Sequence, residues 1–143
     1  MGALGKTVVN ARVLDLFAGS GALGLEALSR GAREVVFVER SHGALRSLER
    51  NIETLQAGAR ATVAHSEAFR YLDRSAEYEF DLILADPPYD RGYAGELLSR
   101  MAVHPVAREL WVEHRSSETM PTLPGVHQRR YGDTMISIWG ASE

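Results

Sequence analysis

The stretch from Arg12 to Glu26 constrains this chain more than any other. An apolar run with one acid, Arg12-Val13-Leu14-Asp15-Leu16-Phe17, gives way to the small residues Ala18-Gly19-Ser20-Gly21 and then to Ala22-Leu23-Gly24-Leu25-Glu26. That order predicts a strand, a glycine loop and a helix. Gly19 and Gly21 lack the Cβ atoms that block tight turning and close approach, and the helix start behind them leaves unpaired N–H groups facing the same space. Such a loop is built to touch a ligand.

Two ligand classes fit it. Gly19-Ser20-Gly21-Ala22-Leu23-Gly24 satisfies the G-x-G-x-x-G pattern of dinucleotide loops, while S-adenosylmethionine loops are looser and follow a strand that carries an acid. The glycines do not choose between them. Asp15, four residues before Gly19, favours the second class, because a carboxylate there suits a ligand with an ammonium group and a dinucleotide has none.

The rest of the chain alternates. Strands are expected over Arg12–Phe17, Glu34–Glu39, Arg60–His65, Glu79–Ala85 and Glu109–His114, with helices over Ala22–Arg30, Gly43–Gln56, Glu67–Leu72 and Ala94–Val103 between them. Glu34-Val35-Val36-Phe37-Val38-Glu39 is apolar without alternation, as a strand buried on both faces of a parallel sheet should be. Leu45, Leu48, Ile52 and Leu55 fall at helical spacing and are expected on one buried face. Val126–Tyr131 and Thr134–Trp139 flank Gly132-Asp133, a hairpin signal. The fold class is therefore α/β: a Rossmann-like, doubly wound, mostly parallel seven-stranded sheet with a C-terminal antiparallel hairpin. With 143 residues it should form a single domain, 1–143.

In a doubly wound sheet ligands bind at the carboxyl ends of the strands. Four such ends carry unusual residues here. The glycine loop follows the first strand, Glu39 ends the second, Ser66-Glu67-Ala68 follows the third, and Asp86-Pro87-Pro88-Tyr89 stops the fourth. Glu39 lies 18 residues beyond Gly21, near the spacing at which an acid accepts hydrogen bonds from a ribose diol. Glu67 fits either an adenine contact or a helix first turn, and Ser66 fits either a ligand contact or the helix cap. The double proline holds Asp86 and the neighbouring carbonyls in an extended row of acceptors, with Tyr89 as a flat platform beside them. That combination suits a nucleobase with an exocyclic NH₂, taken out of its stack.

Composition removes several classes. There is no cysteine, hence no disulfide, thiolate metal site or cysteine nucleophile, and the five histidines show no metal-ligand spacing. Ser20 is not in a G-x-S-x-G elbow, since position 18 is alanine. No run reaches the length of a membrane span, and the first residues lack a signal-peptide pattern, so a cytoplasmic protein without membrane association is expected. A net charge of −3 gives no whole-molecule field for nucleic acid, which leaves Arg40, Arg70 and Arg91 as scattered basic candidates near the rim.

The segments Asp15-Leu16-Phe17-Ala18-Gly19-Ser20-Gly21, Gly24-Leu25-Glu26-Ala27-Leu28-Ser29-Arg30-Gly31-Ala32, Asp86-Pro87-Pro88-Tyr89 and Tyr131-Gly132-Asp133-Thr134 together closely resemble the bacterial RsmD-type 16S ribosomal RNA guanine-N2 methyltransferases, over about residues 11 to 139. The resemblance implies S-adenosylmethionine as cofactor and small-subunit ribosomal RNA as partner, with methyl transfer to a guanine amino group by a monomer that holds no metal. Carried over, Asp15, Phe17, Ala18, Gly19, Ser20, Gly21, Glu39, Ser66, Glu67, Ala68 and Asp86 would bind the cofactor. Asp86 and the Pro87 carbonyl would orient the amine, and Tyr89 would stack on the base. The DPPY motif is shared with adenine-N6 and other amino methyltransferases, so those remain alternatives, as do a cofactor-binding module without RNA activity and a nicotinamide-dependent oxidoreductase. Family members carry an N-terminal β-rich extension with a basic segment, whereas ten undistinguished residues precede the first strand here. The expectation is weak RNA binding unless such a segment is supplied.

Overall fold

The computed structural model describes residues 8–140, so the lead-in at 1–7 lies outside the described residues. Its order is β1 (Arg12–Leu16), α1 (Ala22–Ser29), β2 (Glu34–Glu39), α2 (His42–Thr54), β3 (Ala61–His65), α3 (Ala68–Asp73), β4 (Phe80–Ala85), α4 (Tyr93–Val103), β5 (Ala107–Arg115), β6 (Val126–Tyr131) and β7 (Thr134–Gly140). One seven-stranded sheet runs β3-β2-β1-β4-β5-β7-β6. The first five strands are parallel; β7 runs antiparallel to both β5 and β6. Strand order therefore reverses between β1 and β4, and the crevice outside their carboxyl ends is where such sheets bind ligands.

Both faces of the parallel part are covered, which is why β1, β2 and β4 are nearly continuous in apolar side chains. Helices α1 and α2 bury Leu25, Leu28, Leu45 and Leu48 against Val13, Phe37 and Leu84. On the opposite face α3 and α4 bury Phe69, Leu72, Leu97 and Met101 against Leu14, Val36 and Ile83. No helix among the described residues is long and apolar enough to cross a membrane.

Most element limits fall within one or two residues of the sequence expectation, and three local readings need correction. Leu55 is not on the buried face of α2: the helix stops at Thr54, Gln56 turns left-handed, and Leu55 is 61% exposed. Ser66 does not cap α3. Glu67 does, its carboxylate accepting the Phe69 and Arg70 N–H groups at 3.1 and 3.0 Å, while the Ser66 hydroxyl donates to the Glu67 carbonyl. Phe17 leaves the strand, with φ 58°, a left-handed conformation that a side chain as large as phenylalanine seldom adopts and that bends the chain into the loop.

Candidate active site

The loop after β1 is a set of backbone bonds held in place by carboxylates. Ala18 N–H donates to the Val38 carbonyl at 2.9 Å and Gly21 N–H to the Ala18 carbonyl at 2.8 Å. The turn needs φ 56° at Gly19 and φ 92° at Gly21, the N-cap of α1. Such angles suit glycine. Glu39, at the end of β2, accepts Gly19 N–H on Oε1 and Ser41 N–H on Oε2, each at 2.8 Å. One side chain thus fastens the loop to the neighbouring strand.

Asp15 works from beneath. It is 1% exposed and accepts the Gly24 N–H at 2.9 Å, satisfying one of the unpaired donors in the first turn of α1. Burial pushes its carboxyl well above the ordinary carboxylate range, opposed by the Gly24 bond and reinforced by the charges of Asp86 and Glu39. The sequence assigned Asp15 to an ammonium group. The structure shows it buried under the loop, with one oxygen bonded to the first turn of α1. A Cβ on Gly24 would collide with the edge of the Phe37 ring and stand 2.9 Å from Asp15 Oδ2. Gly24→Ala should therefore cost about 1–3 kcal/mol in denaturant unfolding, the usual scale of overpacking. An unchanged midpoint would show that the Phe37 ring moves aside freely.

The rim holds a cleft of about 510 Å³, within the usual size range of small-molecule sites. Of the residues expected to form the site, Phe17, Glu39, Ser66, Glu67, Ala68, Asp86, Pro87 and Tyr89 line it; Asp15, Ala18, Gly19, Ser20 and Gly21 do not. The wall also includes Val38, Arg40, Pro88, Arg91 and Tyr93. Tyr93 was not anticipated. It stacks on Phe17 with centroids 5.8 Å apart and planes 16° apart, and Phe69 meets both rings edge-on. This aromatic floor suits a flat heterocycle. Tyr93 opens α4 directly after Gly92, and no local pattern in Arg91-Gly92-Tyr93 could have shown that its ring reaches Phe17.

At the other end of the cleft Asp86 is exposed, Pro87 buried and Tyr89 half-buried. Burial of part of its carboxyl pushes the Asp86 pKa up, and the nearby Glu113 charge pushes it further. The Tyr89 hydroxyl donates to Glu113 Oε2 at 3.2 Å. The Arg115 guanidinium lies 4.6 Å from the Tyr89 ring centroid and pairs with Asp90 at 3.2 Å. Glu113 and Arg115 do not line the cleft but contact Tyr89, which does, and the sequence reading did not anticipate those contacts. Nothing in the run Glu109–Arg115 distinguishes them from ordinary strand-end charges. Among the described residues no group of three or more His, Cys, Asp or Glu side chains could hold a metal ion.

Residues 2–140 match the family described as conserved hypothetical protein 95. YlbH of Bacillus subtilis is 35% identical over 137 residues, covering 90% of this chain and 74% of that protein. Ribosomal RNA small subunit methyltransferase D of Escherichia coli is 36% identical over 124 residues, covering 85% of this chain and 62% of its own length. A conserved hypothetical protein of Streptococcus pyogenes superposes with a TM-score of 0.78 at 30% identity, over 90% of this chain and 84% of the other.

Proposed function

We propose a base-amine methyltransferase function for this chain, which belongs to the conserved hypothetical protein 95 family, that of the RsmD-type ribosomal RNA methyltransferases. It transfers a methyl group from S-adenosylmethionine to the N2 amino group of a guanine in small-subunit ribosomal RNA. The observation that carries this reading is the adjacency, in one cleft, of Phe17 and Glu39, the carboxylate that fastens the glycine loop, with the proline-stiffened Asp86-Pro87-Pro88-Tyr89 row. The name of the Escherichia coli relative supports the small ribosomal subunit as substrate.

The residues present fit the cofactor. Glu39 would accept the ribose hydroxyls: each of its oxygens keeps a lone pair beyond its backbone bond. Phe17 and Tyr93 form an apolar shelf for the adenine. When bound, the cofactor supplies a sulfonium-activated methyl with a good leaving group. The protein's task is then orientation and exclusion of water. Asp86 and the Pro87 carbonyl accept hydrogen bonds from the target amine and rotate its lone pair out of conjugation with the ring. Tyr89 stacks on the base. Its platform is shared with Arg115, which covers one face of the ring.

The direct test is incorporation of labelled methyl groups into small ribosomal subunits, followed by digestion to nucleosides, with free nucleic acids as the comparison. N2-methylguanosine in the subunit digest is the expected product. Calorimetry should give binding of S-adenosylmethionine and none of NAD; the reverse would favour an oxidoreductase. Stacking also makes a graded prediction. Tyr89→Phe should retain most activity, whereas Tyr89→Ala should lose about 1–3 kcal/mol of transition-state stabilisation, the scale of base–aromatic stacking. A Phe variant as poor as the Ala variant would assign the function to the hydroxyl and its bond to Glu113.

A further inference from the structure

Strand register brings a second carboxylate to Asp86. β4 and β5 are parallel and pair Leu84 with Trp111 and Ala85 with Val112, so the next positions along are Asp86 and Glu113. Adjacent strands lie about 4.8 Å apart, which sets two carboxylates within reach of the edge of one base. Leu84 and Trp111 share one core face, and the period of two puts Asp86 and Glu113 on that same face. Among the described residues Glu113 has no ion pair, its one hydrogen bond is the 3.2 Å bond from the Tyr89 hydroxyl, and the nearby Arg115 is engaged by Asp90 instead. The mutual repulsion helps push the Asp86 pKa up. Two neighbouring acids with no ion-pair partner among the described residues repel each other, and a ligand that brings donors to both relieves that repulsion.

The chemistry of the bases says which ligand does so. Beside its amino group adenine has the bare N1 and cytosine the bare N3, both acceptors, whereas guanine has N1–H, a second donor. Ionised carboxylates only accept. A pair of them therefore complements the N1–H and N2–H groups of guanine and turns negative charge on the lone pair of adenine or cytosine.

We propose that Glu113 is the specificity-determining residue of this site, accepting the N1–H of the target guanine beside the amine held by Asp86. This inference rests on the reading of the cleft as a base-amine methyltransferase site. It places the choice of base on β5, outside the Asp86–Tyr89 motif.

The experiment uses the full chain and small subunits reconstituted with RNA in which the guanosine methylated by the wild type is either retained or replaced by 2-aminopurine riboside. That analogue keeps the amine, exchanges N1–H for a lone pair and lacks O6, so the change in preference between wild type and Glu113→Gln is the readout. The wild type should prefer guanine by on the order of 10²-fold or more in kcat/KM, as expected when a built hydrogen-bond acceptor meets no donor. Glu113→Gln presents an amide that can donate to the bare N1, so the preference should collapse to within a few-fold of unity or invert. Cofactor affinity by calorimetry and the thermal midpoint should stay near wild type. Tyr89→Phe removes the hydrogen bond that Glu113 makes within the protein and should keep the guanine preference. Loss of preference in Tyr89→Phe, or an unchanged preference in Glu113→Gln, overturns the assignment and leaves the methyltransferase reading standing. Wild-type labelling of an adenine or cytosine amine overturns it also. No methylation of any base amine overturns the functional reading itself and the assignment with it.

Discussion

Asp86→Ala should reduce kcat for methyl transfer by about 10²–10³-fold, the cost of removing one group matched to the transition state, while the calorimetric dissociation constant for S-adenosylmethionine changes by less than about threefold. The asymmetry follows from placement. Asp86 stands after β4 next to the prolines and Tyr89, while Glu39 and Phe17 line another part of the cleft wall, at the ends of β2 and β1. Near-normal turnover by Asp86→Ala at saturating RNA would end the orientation mechanism. The same residue gives a pH signature. Burial and the Glu113 charge raise its pKa, the ionised form is the acceptor, and so activity falls as pH drops through a value above the ordinary carboxylate range. Asp15, whose own pKa is raised, the Arg115–Asp90 pair, and Glu39, Arg40, Glu67 and Arg91 of the cleft wall are other charged groups at this end of the sheet. Asp86→Asn, which keeps a carbonyl acceptor and cannot ionise, should retain more activity than Asp86→Ala and lose the acid limb. A limb that persists in Asp86→Asn belongs to another group.

Glu39→Ala should weaken S-adenosylmethionine by about 1–3 kcal/mol, the scale for hydrogen bonds to a charged acceptor. Two causes act together. The ribose contact is lost, and so are the bonds that fasten Gly19 and Ser41 to the end of β2. Glu39→Gln separates them. Its single carbonyl oxygen can serve only one of those backbone donors well, so this isosteric change should also loosen the loop, seen as faster amide exchange at Gly19 or Ser41. An unchanged dissociation constant in both variants would remove Glu39 from cofactor binding.

The architecture was legible because its signals are local. The apolar run of β2, bounded by Glu34 and Glu39, the glycines after β1, the prolines after β4 and the Gly132-Asp133 turn each act within a few residues. The expected Rossmann-like sheet with its antiparallel pair followed from them, as did the convergence of Glu39, Ser66, Glu67 and Asp86 on one rim. The misreadings share a cause. Ser66 and Glu67 both offer an oxygen where α3 begins, and the geometry of that one turn gives the cap to Glu67. Leu55 continues the spacing of Leu45 and Leu48, yet the helix ends before it.

The sequence by itself determined the alternation of strands and helices, the glycine turn after β1 and the proline stop after β4, because backbone preference and hydrophobic period are written within about a dozen residues. Only the tertiary structure decided that β7 inserts between β5 and β6, that Tyr93 and Phe69 close on Phe17, and that Glu113 stands beside Asp86. Those outcomes depend on strand register and helix packing between segments far apart in the chain. A one-residue slip between β4 and β5 would turn Glu113 to the other face of the sheet, and no local pattern in Glu109–Arg115 records which register wins.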